Sequence, residues 1–262
     1  MKTIRTIAEL RRELEGEVEV GLVPTMGALH DGHRSLFRAA REENNLVVAS
    51  LFVNPAQFDQ AADLAAYPRD EDADARVAGE CGVDILFAPA GDELYPPGFG
   101  TWVDVEDAGA EGASRPGHFR GVATVCVKLF GIVRPVRAYF GQKDAQQAVV
   151  VRKLVRDLNL DVHVRVLPTV RDADGLALSS RNVRLDAAER ATALALPRAL
   201  ARGREAYAGG GDAVAAARSS LNGLTPDYVE IVELDDVTIL ASAVRIGEIR
   251  LIDNVILKGD LS

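Results

Sequence analysis

His30 and His33 flank Gly32 in the run Pro24-Thr25-Met26-Gly27-Ala28-Leu29-His30-Asp31-Gly32-His33. The spacing is H-x-G-H, and it lies between an apolar strand-like segment and a helix-like one. Ligands of open α/β sheets sit at the carboxyl ends of strands. A helix start at that point offers unpaired N–H groups and the positive end of a dipole, both suited to an anion. Gly32 lets a ligand approach the backbone closely. Two imidazoles add donors for phosphate oxygens as charge builds in a transition state. There is no G-x-G-x-x-G, which argues against an ordinary dinucleotide fingerprint. Two other meanings stay open here. One is a pair of surface histidines in a strand–helix loop. The other is a zinc site, for which no third ligand lies nearby in sequence.

Three further groups end strands or occupy loops. Gly141-Gln142-Lys143-Asp144 follows a strand-like run and leads into a helix, with Gln147 one turn beyond Lys143. Lys143 is one of only five lysines, and arginine is otherwise the cation in use. A lysine at a helix start suits a phosphate, although a solvated cap has the same look. Leu178-Ser179-Ser180-Arg181-Asn182 places two hydroxyls beside a guanidinium, which can grip phosphate bidentately. The same run also makes an ordinary helix-capping turn. Asn54 and Gln57 sit among Phe52, Val53, Pro55 and Phe58, neutral polar groups beside apolar ones. That mixture suits a small hydroxy acid with methyl groups better than a sugar.

These residues need elements to hold them. Thr6 and Glu9 read as a capping box for a helix through Leu14, with Gly16 as its C-cap. Strands are expected at 18–23, 46–53, 83–88, 136–140 and 162–167. The run Leu46–Val53 is continuously apolar, as in a parallel strand covered on both faces. Helices are expected from about Gly32, at 70–80, 121–133 and 144–159. Residues 94–119, rich in Gly and Pro, read as a long irregular excursion. This alternation predicts a Rossmann-like, doubly wound α/β domain over residues 1–170. Beyond it the pattern changes to one long helix over 186–208, another over 212–221, and short antiparallel strands at 228–233, 243–246 and 249–258. A smaller α+β, lid-like domain is therefore expected over 171–262.

Composition narrows the function. The 262 residues carry 39 acidic and 30 basic side chains, a formal charge of −9. Such a chain is a poor partner for nucleic acid or an anionic membrane, but a small anionic ligand answers to a local field. No apolar run approaches the ~18 residues of a membrane span, and Met1–Gly16 lacks the apolar core of a signal peptide. Cys81 and Cys126 have no C-x-x-C spacing and fit a reducing cytoplasm.

Together, PTMGALHDGH (24–33), FVNPAQF (52–58), YPRD (67–70), RPGHFRGV (115–122), YFGQKDAQQ (139–147), PTVRDADGLALSSRN (168–182) and LIDN (251–254) resemble the pantoate–β-alanine ligase family of the H-x-G-H nucleotidyltransferases. The resemblance spans nearly the whole chain. It implies an ATP-dependent ligase that joins pantoate to β-alanine through a pantoyl adenylate, with Mg²⁺, acting as a homodimer. It also implies roles. His33 and His30, with Lys143 and Arg181, would act on the phosphates. Thr25, Met26, Gly27, Gly141, Gln142, Leu178, Ser179 and Ser180 would complete the ATP site. Asp144 would meet the ribose, and the Val170 backbone the adenine. Gln57, Gln147 and Asn54 would hold pantoate or β-alanine. A magnesium aspartate would fall near Asp74, with Asp70 and Asp72 as neighbours. Ala145 and Leu178 depart from the family pattern, which usually has Tyr and Met there. The alternatives are another H-x-G-H nucleotidyltransferase with a phosphorylated acceptor, and a non-catalytic nucleotide-binding module. The first would want more basic acceptor-site residues, and the second has no need of four phosphate-facing side chains.

Overall fold

The computed structural model describes residues 1–106, 109–234 and 237–260. Its larger sheet has six parallel strands: β1 (Lys2–Ile4), β2 (Val20–Thr25), β3 (Leu46–Leu51), β4 (Ile85–Phe87), β5 (Arg137–Gly141) and β6 (His163–Leu167). The order is β1-β4-β3-β2-β5-β6. The chain works outward from β2 to one edge, then returns to place β5 on the other side of β2. The reversal leaves a crevice beyond the carboxyl ends of β2 and β5, where such sheets take their ligands.

Alternation within the strands sends side chains to opposite faces. Leu22 and Val48 join one apolar cluster, which also takes α1 (Ile7–Glu13), α7 (His118–Val133) and α8 (Ala145–Asp157). Val23, Val47 and Ala49 join a second, with Phe37 and Ala40 of α2 (Asp31–Glu43) and Ala78 of α4 (Glu71–Glu80). Both faces of the central strands are covered, which is why β3 reads as an apolar run interrupted only by Ser50, while the edge strand β6 alternates His163, Val164, Arg165 and Val166.

Between these lie α3 (Ala61–Ala66), α5 (Gly91–Leu94) and α6 (Gly109–Ser114). Beyond β6 come α9 (Ala187–Ala193), α10 (Ala195–Ala208), α11 (Ala213–Ser220), and an antiparallel sheet of β7 (Pro226–Leu234), β8 (Val237–Ile246) and β9 (Ile249–Lys258). Strand β8 is buried on both faces. Leu240, Val244 and Ile246 pack with Leu196 and Leu200 of α10. Ile239, Ala241 and Ala243 pack instead into the cluster shared with α7 and α8. The two sheets therefore meet across one apolar layer.

Several expected boundaries move. Strand β2 runs on through Pro24 to Thr25. Its register with β5 covers only Gly21 and Leu22, so no partner there requires the N–H that Pro24 lacks. The expected helix over 186–208 breaks at Leu194. At Thr6 only half of the capping box forms: its hydroxyl accepts the Glu9 N–H, while the Glu9 carboxylate turns toward Lys2. Helix α1 ends at Glu13 with Leu14 as its C-cap, short of Gly16. Residues 94–119 are less irregular than expected, since α6 and the first two residues of α7 fall there. Strand β1 and helices α3 and α5 carry no expectation from the sequence, and all three are too short for a periodic signal.

Candidate active site

Two left-handed residues lead from β2 to α2. Gly27 has φ +88° and Ala28 φ 51°. A Cβ on Gly27 would lie 2.7 Å from Asp74 Oδ2 and 2.8 Å from Leu51, so glycine is required. Asp74, on α4 and buried, accepts the backbone N–H of Ala28 at 3.0 Å and of Leu29 at 2.8 Å. One carboxylate thus holds the strained turn shut. Asp70 caps α4 by accepting the Ala73 N–H, and Asp72 lies on the exposed first turn of that helix. Each Asp74 oxygen accepts one backbone N–H, so Asp74 braces the loop and keeps further lone pairs for the metal role that the resemblance implies.

The histidines then cap α2 themselves. His30 Nδ1 accepts the Gly32 N–H at 3.1 Å, and His33 Nδ1 accepts the His30 N–H at 3.2 Å. Each Nδ1 acting as acceptor leaves the proton of the neutral ring on Nε2. Burial, then the Lys143 charge, pushes the His30 pKa down to about 4. Burial, then His30, pushes His33 down to about 3. Both rings are therefore neutral Nε2–H donors at neutral pH, with centroids 4.2 Å apart. Sequence alone shows two imidazoles near a helix start, but it does not show that they serve as the cap.

Lys143 approaches from the other side of the crevice, in the short turn between β5 and α8. Asn254 of β9 holds that turn, donating to the carbonyls of Gln142 at 2.8 Å and Lys143 at 2.9 Å. Gln142 Nε2 returns a bond to Asn254 Oδ1, so Gln142 faces the small sheet. The Ser-Ser-Arg loop hangs from a turn pinned by the Leu178 N–H to the Val170 carbonyl, and by Arg171 on buried Asp253 at 2.7 and 2.9 Å.

Gln57 sits on a tight turn, Pro55–Gln57. Asn54 donates to Gln57 Oε1 at 3.0 Å and to the Gly121 carbonyl at 3.1 Å. A Cβ on Gly121 would lie 2.3 Å from the Ala56 carbonyl oxygen, so only glycine lets α7 press this close. The Gln57 carbonyl accepts from His118 Nδ1 at 2.7 Å and from Arg115 at 3.2 Å. Burial, then the Arg115 charge, pushes the His118 pKa down to about 4, so this ring is neutral too.

One cavity of about 220 Å³ gathers most of the expected residues. Thr25, Met26, His30 and His33 line it from β2 and α2, and Asn54 and Gln57 from the tight turn. Gly141, Lys143, Asp144 and Gln147 line it from β5 and α8, and Val170, Leu178, Ser179, Ser180 and Arg181 from the loop after β6. Gly27, Gln142 and Asp74 stand behind this lining. Two residues escape sequence reasoning. Tyr67 places its hydroxyl 3.3 Å from Ser180 Oγ, and Asp63 pairs with Arg181 at 2.8 Å. YPRD was visible as a run, but its contact with the serine loop spans 113 positions and carries no local signal.

A doubly wound sheet, an H-x-G-H helix cap and phosphate-suited cations at the switch point define a nucleotide-using enzyme of the α/β class. The family model for pantoate–β-alanine ligase matches residues 1–256. A pantothenate synthetase of Chloroflexus aurantiacus (strain J-10-fl) is 51% identical, across 99% of each chain. That of Roseiflexus sp. (strain RS-1) is also 51% identical, across 98% of this chain and all of its own. The crystal structure of the Thermus thermophilus pantothenate synthetase matches with a TM-score of 0.94 at 48% identity, across 99% of this chain and all of that one. The Francisella tularensis pantoate–β-alanine ligase, complexed with beta-gamma ATP and β-alanine, matches with 0.85 at 34% identity over the full length of both. The chain belongs to the pantoate–β-alanine ligase family.

Proposed function

We infer that this chain condenses pantoate with β-alanine at the expense of ATP. The observation that carries it is the convergence of two neutral Nε2–H imidazoles, Lys143 and Arg181 on the cavity that Gln57 and Gln147 also line. The pantoate carboxylate attacks the α-phosphorus and pyrophosphate leaves. The β-alanine amine then attacks the acyl carbon, sheds a proton, and AMP departs with one carboxylate oxygen. Neither step needs a covalent bond to the protein. Both need alignment and donors aimed at phosphate oxygens.

His30 and His33 donate from Nε2, Lys143 supplies a point charge, and Arg181 a fork. Gln57 and Gln147 orient pantoate, with Asn54 fixing Gln57. Asp144 faces the ribose, and the Val170 backbone the adenine. Mg²⁺ would be held by the ATP phosphates, with Asp74 as the candidate carboxylate, and would supply neutralisation of phosphate charge. The part beyond residue 170 covers the cavity, and the enzyme works as a cytoplasmic homodimer without nucleic acid. Among the described residues no helix is long and apolar enough to cross a membrane.

A nucleotidyl transfer to a phosphorylated acceptor is not favoured, since the family match runs through residue 256. The test is ATP–pyrophosphate exchange. Exchange should require pantoate, and ¹⁸O from the pantoate carboxylate should appear in AMP. Exchange without pantoate, or label found only in water or pyrophosphate, would overturn the reading.

A further inference from the structure

A second cavity, of about 90 Å³, adjoins the first, and Lys143, Asp144, Ser179 and Arg181 line both. Its cations are unequally engaged. Arg250 is committed to Glu111 and Asp227 at 2.7–2.8 Å. Arg115 is held by Asp59 and the Gln57 carbonyl. Arg181 and Arg184 differ, because they share one carboxylate. Asp63 Oδ2 lies 2.8 Å from Arg181, and Asp63 Oδ1 lies 3.8 Å from Arg184. Lys143 has Asp144 at 3.7 Å. A carboxylate between two guanidinium groups marks a place where an anion is welcome, and it leaves positive charge uncompensated. Asp59, Glu111 and Glu248 also line this cavity, so affinity there is limited. Limited affinity suits a product that must leave.

We propose that this second cavity is a transient seat for the inorganic pyrophosphate released by adenylate formation, gripped by Arg181 and Arg184, with Asp63 as its built-in competitor. The proposal rests on the ligase reading above. The leaving anion moves from the nucleotide cavity along Lys143 and Arg181, which face both spaces, and displaces Asp63. When Asp63 returns to Arg181 the pyrophosphate is expelled and the seat is reset. Arginine pairs with carboxylate and with phosphate through the same fork, so Asp63 and the pyrophosphate compete for the same donors. Arg184 thus becomes a product-binding residue, and Asp63 a positioning residue that acts through Arg181.

Product inhibition tests this on the intact enzyme, with inorganic pyrophosphate and AMP as separate inhibitors. Pantothenate formation by the unsubstituted enzyme is measured first, and its absence would count against the ligase reading instead. Given activity, Asp63→Asn should tighten pyrophosphate inhibition by about two- to fivefold and Arg184→Gln should weaken it by a similar factor, with AMP inhibition unchanged, as expected for partly exposed charges. Asp63→Glu should restore the original value. Unchanged pyrophosphate inhibition in both variants, or parallel shifts for pyrophosphate and AMP, would overturn the proposal.

Discussion

Asn254, midway along the last strand, donates to the backbone carbonyl of Lys143 at 2.9 Å, across 111 positions of sequence. The same amide holds Gln142, so one buried side chain sets the pose of the turn that carries the phosphate lysine. Asn254→Ala should therefore raise the KM for ATP and lower kcat together. It should also destabilise the fold by about 0.5–1.5 kcal/mol, because two half-buried carbonyls lose a donor. Steady-state kinetics beside thermal unfolding checks both, and an unaltered KM for ATP would detach Asn254 from the site.

His33→Ala removes an Nε2–H donor and half of the helix cap. Adenylate formation should slow by about 10²–10³-fold, the usual effect of losing one donor to a charged transition state. The missing cap costs about 1 kcal/mol, which leaves the protein folded. Single-turnover measurement of the adenylate, alongside circular dichroism, separates the two effects.

Asp74→Ala frees the Gly27–Ala28 turn, and the KM for ATP rises. With the candidate metal carboxylate gone, the Mg²⁺ concentration giving half-maximal rate should rise as well. An unchanged concentration would leave Asp74 as a brace alone.

Gly121→Ala drives a methyl group into the Ala56 carbonyl and shifts the turn bearing Asn54 and Gln57. Overpacking of this kind costs about 1–3 kcal/mol. The expected kinetic signature is a KM increase for pantoate that exceeds any increase for ATP.

His30, His33 and His118 have folded pKa values near 4, 3 and 4, below the ordinary 6.5. In acid the unfolded chain takes up these protons first, so stability is full above about pH 6.5 and falls as pH drops toward 4 and 3. Each ring contributes a slope of up to about 1.4 kcal/mol per pH unit in that window. Urea unfolding from pH 7 to pH 4.5 should show the loss, and His118→Asn should make it shallower.

Much of this molecule is legible in its sequence, for a physical reason. The central parallel strands are covered on both faces, so Leu46–Leu51 reads as an apolar run interrupted only by Ser50. The strand-end residues follow directly from those strands, which is why His30, His33, Lys143 and Gln57 were accessible and do share one cavity. The remainder is tertiary. Asp63 meets Arg181 across 118 positions and Asp74 meets Ala28 across 46, and neither leaves a periodicity. The brace on the H-x-G-H turn, and the hydroxyl that Tyr67 presents to Ser180, exist only once the chain has folded.

The fastening of Lys143 by β9 also bears on the order of assembly. All six strands of the parallel sheet precede residue 168, and they emerge first during synthesis. Domains form as they emerge, so the crevice takes shape while its lysine turn still lacks a tether. Only when Asn254 arrives and β9 zips onto β8 does the phosphate site acquire its final geometry. A nascent or proteolytically shortened chain ending before that strand would have the nucleotide crevice without the means to hold its lysine, and catalytic competence would appear as the last event of folding.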